Sequence, residues 1–141
     1  MGVSVVYTTE QELVESFLKY LGGEPWDKVK VRIEFNYMRG RADVVVLLPS
    51  NELIAIEAKL YRWRVALQQA YRNRCFADKS YVLLPDSIAK IASQYEYEFD
   101  RRGVGICCIQ DGHICIIKEA ITDKPIQPWL RQVAIEYVME E

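Results

Sequence analysis

Three residues near the middle of the chain have the types and spacing for chemistry on a phosphate ester. They are Asp43, in Arg41-Ala42-Asp43-Val44-Val45-Val46, and Glu57 and Lys59, in Ile54-Ala55-Ile56-Glu57-Ala58-Lys59. Side chains two apart on a strand share a face, so Glu57 and Lys59 are expected to point the same way. Asp43 opens a segment that is otherwise apolar on both faces. A carboxylate beside buried strands is costly unless it is paired or binds a metal. Two carboxylates at one end of a strand pair suit Mg²⁺ (or Mn²⁺), a hard cation that takes oxygen ligands and keeps several waters. Such an ion lowers the pKa of its bound water and offsets charge on a phosphodiester. Lys59 beside it would orient that water or stabilise the oxyanion of the transition state.

This chemistry requires the two carboxylates to meet, and loop length decides whether they do. Arg41–Leu48 and Leu53–Leu60 read as two strands joined at Pro49-Ser50-Asn51. A three-residue loop pairs Leu48 with Glu52 and makes Asp43 face Glu57. A loop of two or four residues places them on opposite faces of the sheet. The functional reading therefore requires the odd loop or a bulge.

The other elements follow from hydrophobic periodicity. Thr9 and Glu12 form a capping box for a helix over Thr9–Leu21, which Gly22-Gly23 ends. Lys28–Phe35 alternates strictly, with Val29, Val31, Ile33 and Phe35 opposite charged residues, and predicts a half-buried strand followed by a turn at Tyr37–Gly40. These first three strands should form an antiparallel meander. Trp63–Phe76 reads as a helix, and Ser80–Leu84 as a buried strand parallel to a neighbour. Asp86 is placed to cap a helix running to Arg102, with Gly103 as its stop. Asp111-Gly112, between Ile106–Ile109 and His113–Ile117, is a type I′ hairpin signal. A last helix covers Pro128–Met139. The expectation is one α/β domain over residues 1–141. Its central mixed sheet has the order αβββαβ, flanked by helices, with a C-terminal β-hairpin and helix.

Asp43, a turn, then Glu57-Ala58-Lys59 on a β-hairpin resembles the PD-(D/E)XK nuclease superfamily, and is most similar to its branches of Holliday-junction resolvases and RecB-like nucleases. The likeness spans roughly residues 10–85, and a helix precedes and follows the three strands as in that family. Ala42 stands where the nominal motif has proline, a departure many members share. The resemblance implies a restriction-endonuclease-like core and Mg²⁺-dependent hydrolysis of DNA. It implies Asp43 and Glu57 as metal ligands and Lys59 as the catalytic lysine. The family often adds an acid from the first helix. Of Glu10, Glu12 and Glu15, only Glu10 points along the buried stripe at about 100° per residue. It is the expected extra ligand; an acid favoured by the dipole of the helix's first turn is the other reading. The family also often places a glutamine on the following helix. Gln69 fits better than Gln68, because it shares a face with Ala66, though a solvent-facing glutamine reads equally well.

Charge distribution bears on the partner. The formal net charge is −2, yet residues 28–77 hold ten Lys or Arg against four acids. A local basic zone on a mildly acidic protein fits a nucleic-acid-facing surface, or a solvated helix face. Arg39, Arg41, Arg62, Arg64, Arg72 and Arg74 are the candidate phosphate contacts. Trp63 reads as core and His113 as a surface residue.

The four cysteines, Cys75, Cys107, Cys108 and Cys115, have no zinc spacing and read as buried thiols. No segment approaches the roughly 18 apolar residues of a membrane span, and Met1–Glu10 has no signal-peptide pattern. A cytoplasmic protein is expected. A homodimer is compatible with two-strand cleavage, with the Cys107–Ile117 hairpin as its apolar surface. The competing readings are a non-catalytic nucleic-acid-binding or assembly module on the same fold, and an unrelated α/β protein with a surface Glu-Lys pair.

Overall fold

The computed structural model describes residues 6–140. The elements run α1 (Glu10–Tyr20), β1 (Lys30–Tyr37), β2 (Gly40–Leu47), β3 (Leu53–Ala58), α2 (Trp63–Asn73) and β4 (Lys79–Leu83). They continue as α3 (Asp86–Ser93), α4 (Glu96–Arg102), β5 (Gly105–Gln110), β6 (His113–Lys118) and α5 (Pro128–Met139). The six strands form one mixed sheet in sequence order. β1, β2 and β3 are antiparallel neighbours, β3, β4 and β5 run parallel, and β6 returns antiparallel. This is the expected α/β class and order. The parallel steps are long because each must carry helix back across the sheet.

The two faces are covered unequally. Leu13 and Phe17 of α1 pack on Val44, Val46, Ile54, Ile56, Tyr81 and Leu83. The other face receives four helices. α2, α3 and α4 close over Val82, Leu84, Ile106 and Cys108, while Leu130, Ala134 and Val138 of α5 close over Val45, Leu47, Leu53 and Ala55. A strand buried on both faces should be a continuous apolar run. β3 meets this with one exception: all six of its residues are buried, and one of them is Glu57.

Local signals operate as expected in several places. Thr9 caps α1 and completes the box with Glu12. Asp111 and Gly112 both have positive φ, as a type I′ turn requires. Gly103 ends α4 in the left-handed region. Between β2 and β3, Leu48 N–H donates to Glu52 O at 2.9 Å, and Asn51 takes φ 73°. That is the three-residue loop.

Several local expectations are corrected. The first strand spans Lys30–Tyr37 rather than Lys28–Phe35, and the turn narrows to Met38-Arg39, because Tyr37 pairs with Gly40. Its alternation also fails. Glu34 has φ 57°, and beyond it Phe35 joins the α5 side while Ile33 is left exposed. The segment from Asp86 to Arg102 is two helices, broken at Gln94-Tyr95, and Asp86 lies in the first turn of α3 rather than at its N-cap. The break lets Phe99 and Trp63 stack, with ring centroids 5.7 Å apart. The β5–β6 hairpin forms one edge of the sheet. Cys107, Cys108 and Ile114 are buried, and Ile116 and Ile117 half-buried. All four cysteines are free, two of them only half-buried.

α5 is fastened by Arg131. Its guanidinium grips Asp78 from Nε and Nη2 at 2.9–3.1 Å and also donates to Asn51 O. Asp78 in turn accepts from Leu53 N–H at 2.7 Å. One ion pair thus ties the last helix to the loop and strand that set the β2–β3 register. Arg131→Ala would leave the half-buried Asp78 short of a partner and should lower unfolding free energy by about 2 kcal/mol. Urea denaturation reads this directly, and a loss below about 0.5 kcal/mol would show the pair to be a solvent-screened ornament.

Candidate functional site

β2 and β3 pair Val44 with Ile56, Val45 with Ala55 and Leu47 with Leu53. The next position in that register sets Asp43 opposite Glu57. The backbone ladder stops just before it. There the Asp43 carboxylate accepts the Ala58 N–H at 2.8 Å, a donor the ladder would otherwise have used. Asp43 is thereby held at the edge of the core, half-buried, with its second oxygen free to face Glu57.

Glu57 is 2% exposed. Its Oε1 accepts a 2.8 Å hydrogen bond from Asn73 Nδ2 on α2. Asn73, itself fully buried, accepts at Oδ1 from the Tyr37 hydroxyl at 2.6 Å. Three elements therefore meet at one carboxyl group: β3 carries it, α2 orients it, and the end of β1 orients α2's amide. Burial, and then the charge of Asp43, pushes Glu57 up to about 9, against the pull of the Asn73 hydrogen bond and the Lys59 ammonium. Burial also raises the Tyr37 phenol, which keeps it a neutral donor to Asn73.

Lys59 lies one residue beyond β3. Its N–H donates to Leu83 O across the parallel pair, and its Nζ stands 3.6 Å from Glu10 Oε1 at the start of α1. α1 thus brings Glu10 to the lysine. Among the described residues no three Asp, Glu, His or Cys side chains converge as a ready metal cage. The donor set fits a divalent cation held by two carboxylates and completed by water, since Mg²⁺ is bound through one or two carboxylates and retains waters.

Gln69 is half-buried, one helical turn before Asn73, and Gln68 is exposed. The six arginines divide. Arg64 is bound twice to Glu98, at 3.1 and 2.9 Å, and lies over the Trp63 ring. Arg74 pairs with Asp123 and donates to Arg102 O. These two are fixtures of the fold. Arg39, Arg41, Arg62 and Arg72 are exposed and make no ion pair among the described residues. Arg72 Nη1 instead donates to Arg39 O at 3.0 Å, across the β1–β2 turn. Trp63 is core and His113 exposed, as expected.

Asn73 and Tyr37 were not legible as site residues. Asn73 lies on the stripe Ala66, Ala70, Asn73, so a polar residue on an apolar face was the available signal. Tyr37 carried none, because its role depends on β1 extending past Phe35.

Glu57 holds a proton in the folded protein that the unfolded chain loses near its ordinary value of 4.5. Its stabilising term is therefore complete at low pH and is lost as pH rises from about 4.5 towards about 9. In EDTA, Glu57→Gln should remove this slope and be more stable than the parent at pH 8, by at least about 2 kcal/mol. Equal stability of the two proteins at pH 8 would mean the buried charge is already compensated. Asn73→Ala should cost about 1–3 kcal/mol, because it strands the Tyr37 hydroxyl and a Glu57 oxygen, whereas Tyr37→Phe should cost about 1 kcal/mol. Thermal and urea melts separate the two.

No helix among the described residues is long and apolar enough to cross a membrane. No protein-family model matches the chain, and no curated protein is significantly similar to it. Among solved structures, the chain is similar to the SPO1766 protein of unknown function from Silicibacter pomeroyi. The two share 18% identity and a TM-score of 0.61, over 93% of this chain and 84% of the other. That likeness is one of fold.

Proposed function

We propose that the protein is a divalent-metal-dependent deoxyribonuclease of the PD-(D/E)XK kind, selecting DNA by its structure or through a partner. The supporting observation is the Asp43–Glu57 pair. Two carboxyl groups stand opposite each other, one of them buried in the sheet and pushed up to about 9. A fold bears that cost where a dication relieves it. In this reading Asp43 and Glu57 hold Mg²⁺ or Mn²⁺, which when bound neutralises phosphodiester charge and makes a nucleophile of its water. Lys59 directs the attacking water or donates to the developing oxyanion. Glu10 steadies the Lys59 ammonium, and Asn73 fixes the Glu57 rotamer. Gln69 flanks the pair, and Arg39, Arg41, Arg62 and Arg72 supply phosphate contacts. A non-catalytic nucleic-acid-binding module on the same fold is the second reading. It is favoured by one contact, the engagement of Lys59 with Glu10.

Labelled single strand, duplex, flap and four-way junction DNAs, each with Mg²⁺, Mn²⁺ or EDTA, test the proposal. Cleavage should require the metal and fall by at least about 100-fold in Lys59→Ala. Binding without cleavage would favour the second reading, and neither binding nor cleavage of any DNA would end both.

A further inference from the structure

Two short loops adjoin the strands that carry the proposed site, and each exposes an apolar or aromatic side chain followed by an arginine. The β1–β2 turn presents Met38-Arg39, immediately after Tyr37. The β3–α2 loop presents Tyr61-Arg62, two residues after Lys59. Met38 is 100% exposed and Tyr61 72% exposed. A large side chain with apolar surface and a cation without an acid partner among the described residues therefore adjoin in each loop. A two-residue turn and a short loop need neither residue for folding, and the exposed arginines contrast with Arg64 and Arg74, which are neutralised by Glu98 and Asp123.

The first loop is braced. Arg72 Nη1 holds the Arg39 carbonyl, and a Cβ at Gly40 would lie 2.8 Å from that same nitrogen, so the guanidinium packs directly over the turn. Tyr37 anchors its base through Asn73 to Glu57. Met38 is thus carried on a preorganised mount that is rigidly connected to the carboxylate pair. An apolar tip beside a cation is the chemistry of a wedge that enters a base step while its neighbour takes the phosphate. An exposed tyrosine beside a cation is the chemistry of a platform for an unpaired base.

We infer that these two loops are a clamp for DNA at a disrupted base step, Met38 filling the opened step and Tyr61 receiving the freed base, with Arg39 and Arg62 on the adjoining phosphates. The inference rests on the proposed function for its choice of DNA, and it narrows the substrate to DNA with a border between paired and unpaired strands.

The test reads binding apart from cleavage. A flap duplex carrying 2-aminopurine at the border is titrated with the protein in Ca²⁺, beside a fully paired duplex. The full-length protein should raise the fluorescence several-fold on the flap, as the base unstacks, and much less on the duplex. Met38→Ala and Tyr61→Ala should each remove most of that rise with unchanged thermal stability, since both side chains are exposed. Arg39→Ala and Arg62→Ala should each lower the slope of log affinity against log salt by about one. Unstacking that persists in the Met38→Ala/Tyr61→Ala double variant overturns the inference, as does a protein that binds flap and duplex without unstacking either. Unstacking by a protein that never cuts would sustain the clamp and remove the nuclease.

Discussion

A carboxyl group sits inside a β-strand buried on both faces, and the architecture around it is arranged to tolerate that. Glu57 cannot be left without partners at that depth, because an unpaired charge in the core costs more than a typical domain can spare. Asn73 meets one oxygen from the α2 side, Tyr37 secures Asn73, and Lys59 and Asp43 act on its charge from the open end of the strand pair. The net result still favours the protonated acid. The structure therefore carries a local electrostatic conflict at one place, while among the described residues the buried side-chain nitrogens and oxygens have hydrogen-bond partners, the Ser80 hydroxyl excepted. Conflicts of this kind concentrate where a ligand resolves them.

The unequal covering of the sheet serves the same end. The α2, α3, α4 and α5 side is densely packed and rigid, and it supplies the amide that fixes Glu57. Among the described helices the opposite face has α1, whose first residue, Glu10, reaches the lysine. The two sides contribute different things to one edge of the sheet. One gives the hydrogen bond that orients Glu57 and the other gives the partner of the Lys59 ammonium.

Basic residues in this chain have two roles that composition does not separate. Arg131, Arg64 and Arg74 hold elements together through paired acids, and Arg32 packs over the Tyr137 ring. Arg39, Arg41, Arg62 and Arg72 are exposed and have no acid partner among the described residues. A surface that binds phosphate needs cations of the second sort, since an arginine already neutralised gives little field. The distinction reduces the ten basic residues of segment 28–77 to four candidates.

Sequence alone determined the element types and the mixed sheet, and it reduced the pairing of Asp43 with Glu57 to the length of one loop. These depend on local rules: a period of two or 3.6, caps, turn residues, and the parity of a three-residue loop. The ends of β1 and the break between α3 and α4 were beyond it, because both depend on what packs against them: Phe35 turns towards α5, and Phe99 reaches the Trp63 ring. Tertiary structure alone decided that Tyr37 and Asn73 join Glu57 in one hydrogen-bonded chain, and that Arg64 and Arg74 pair with Glu98 and Asp123. Asn73 is 36 residues from Tyr37 and 16 from Glu57. Contacts over such separations follow from how α2 lies across the sheet, and no periodicity in the chain records that angle.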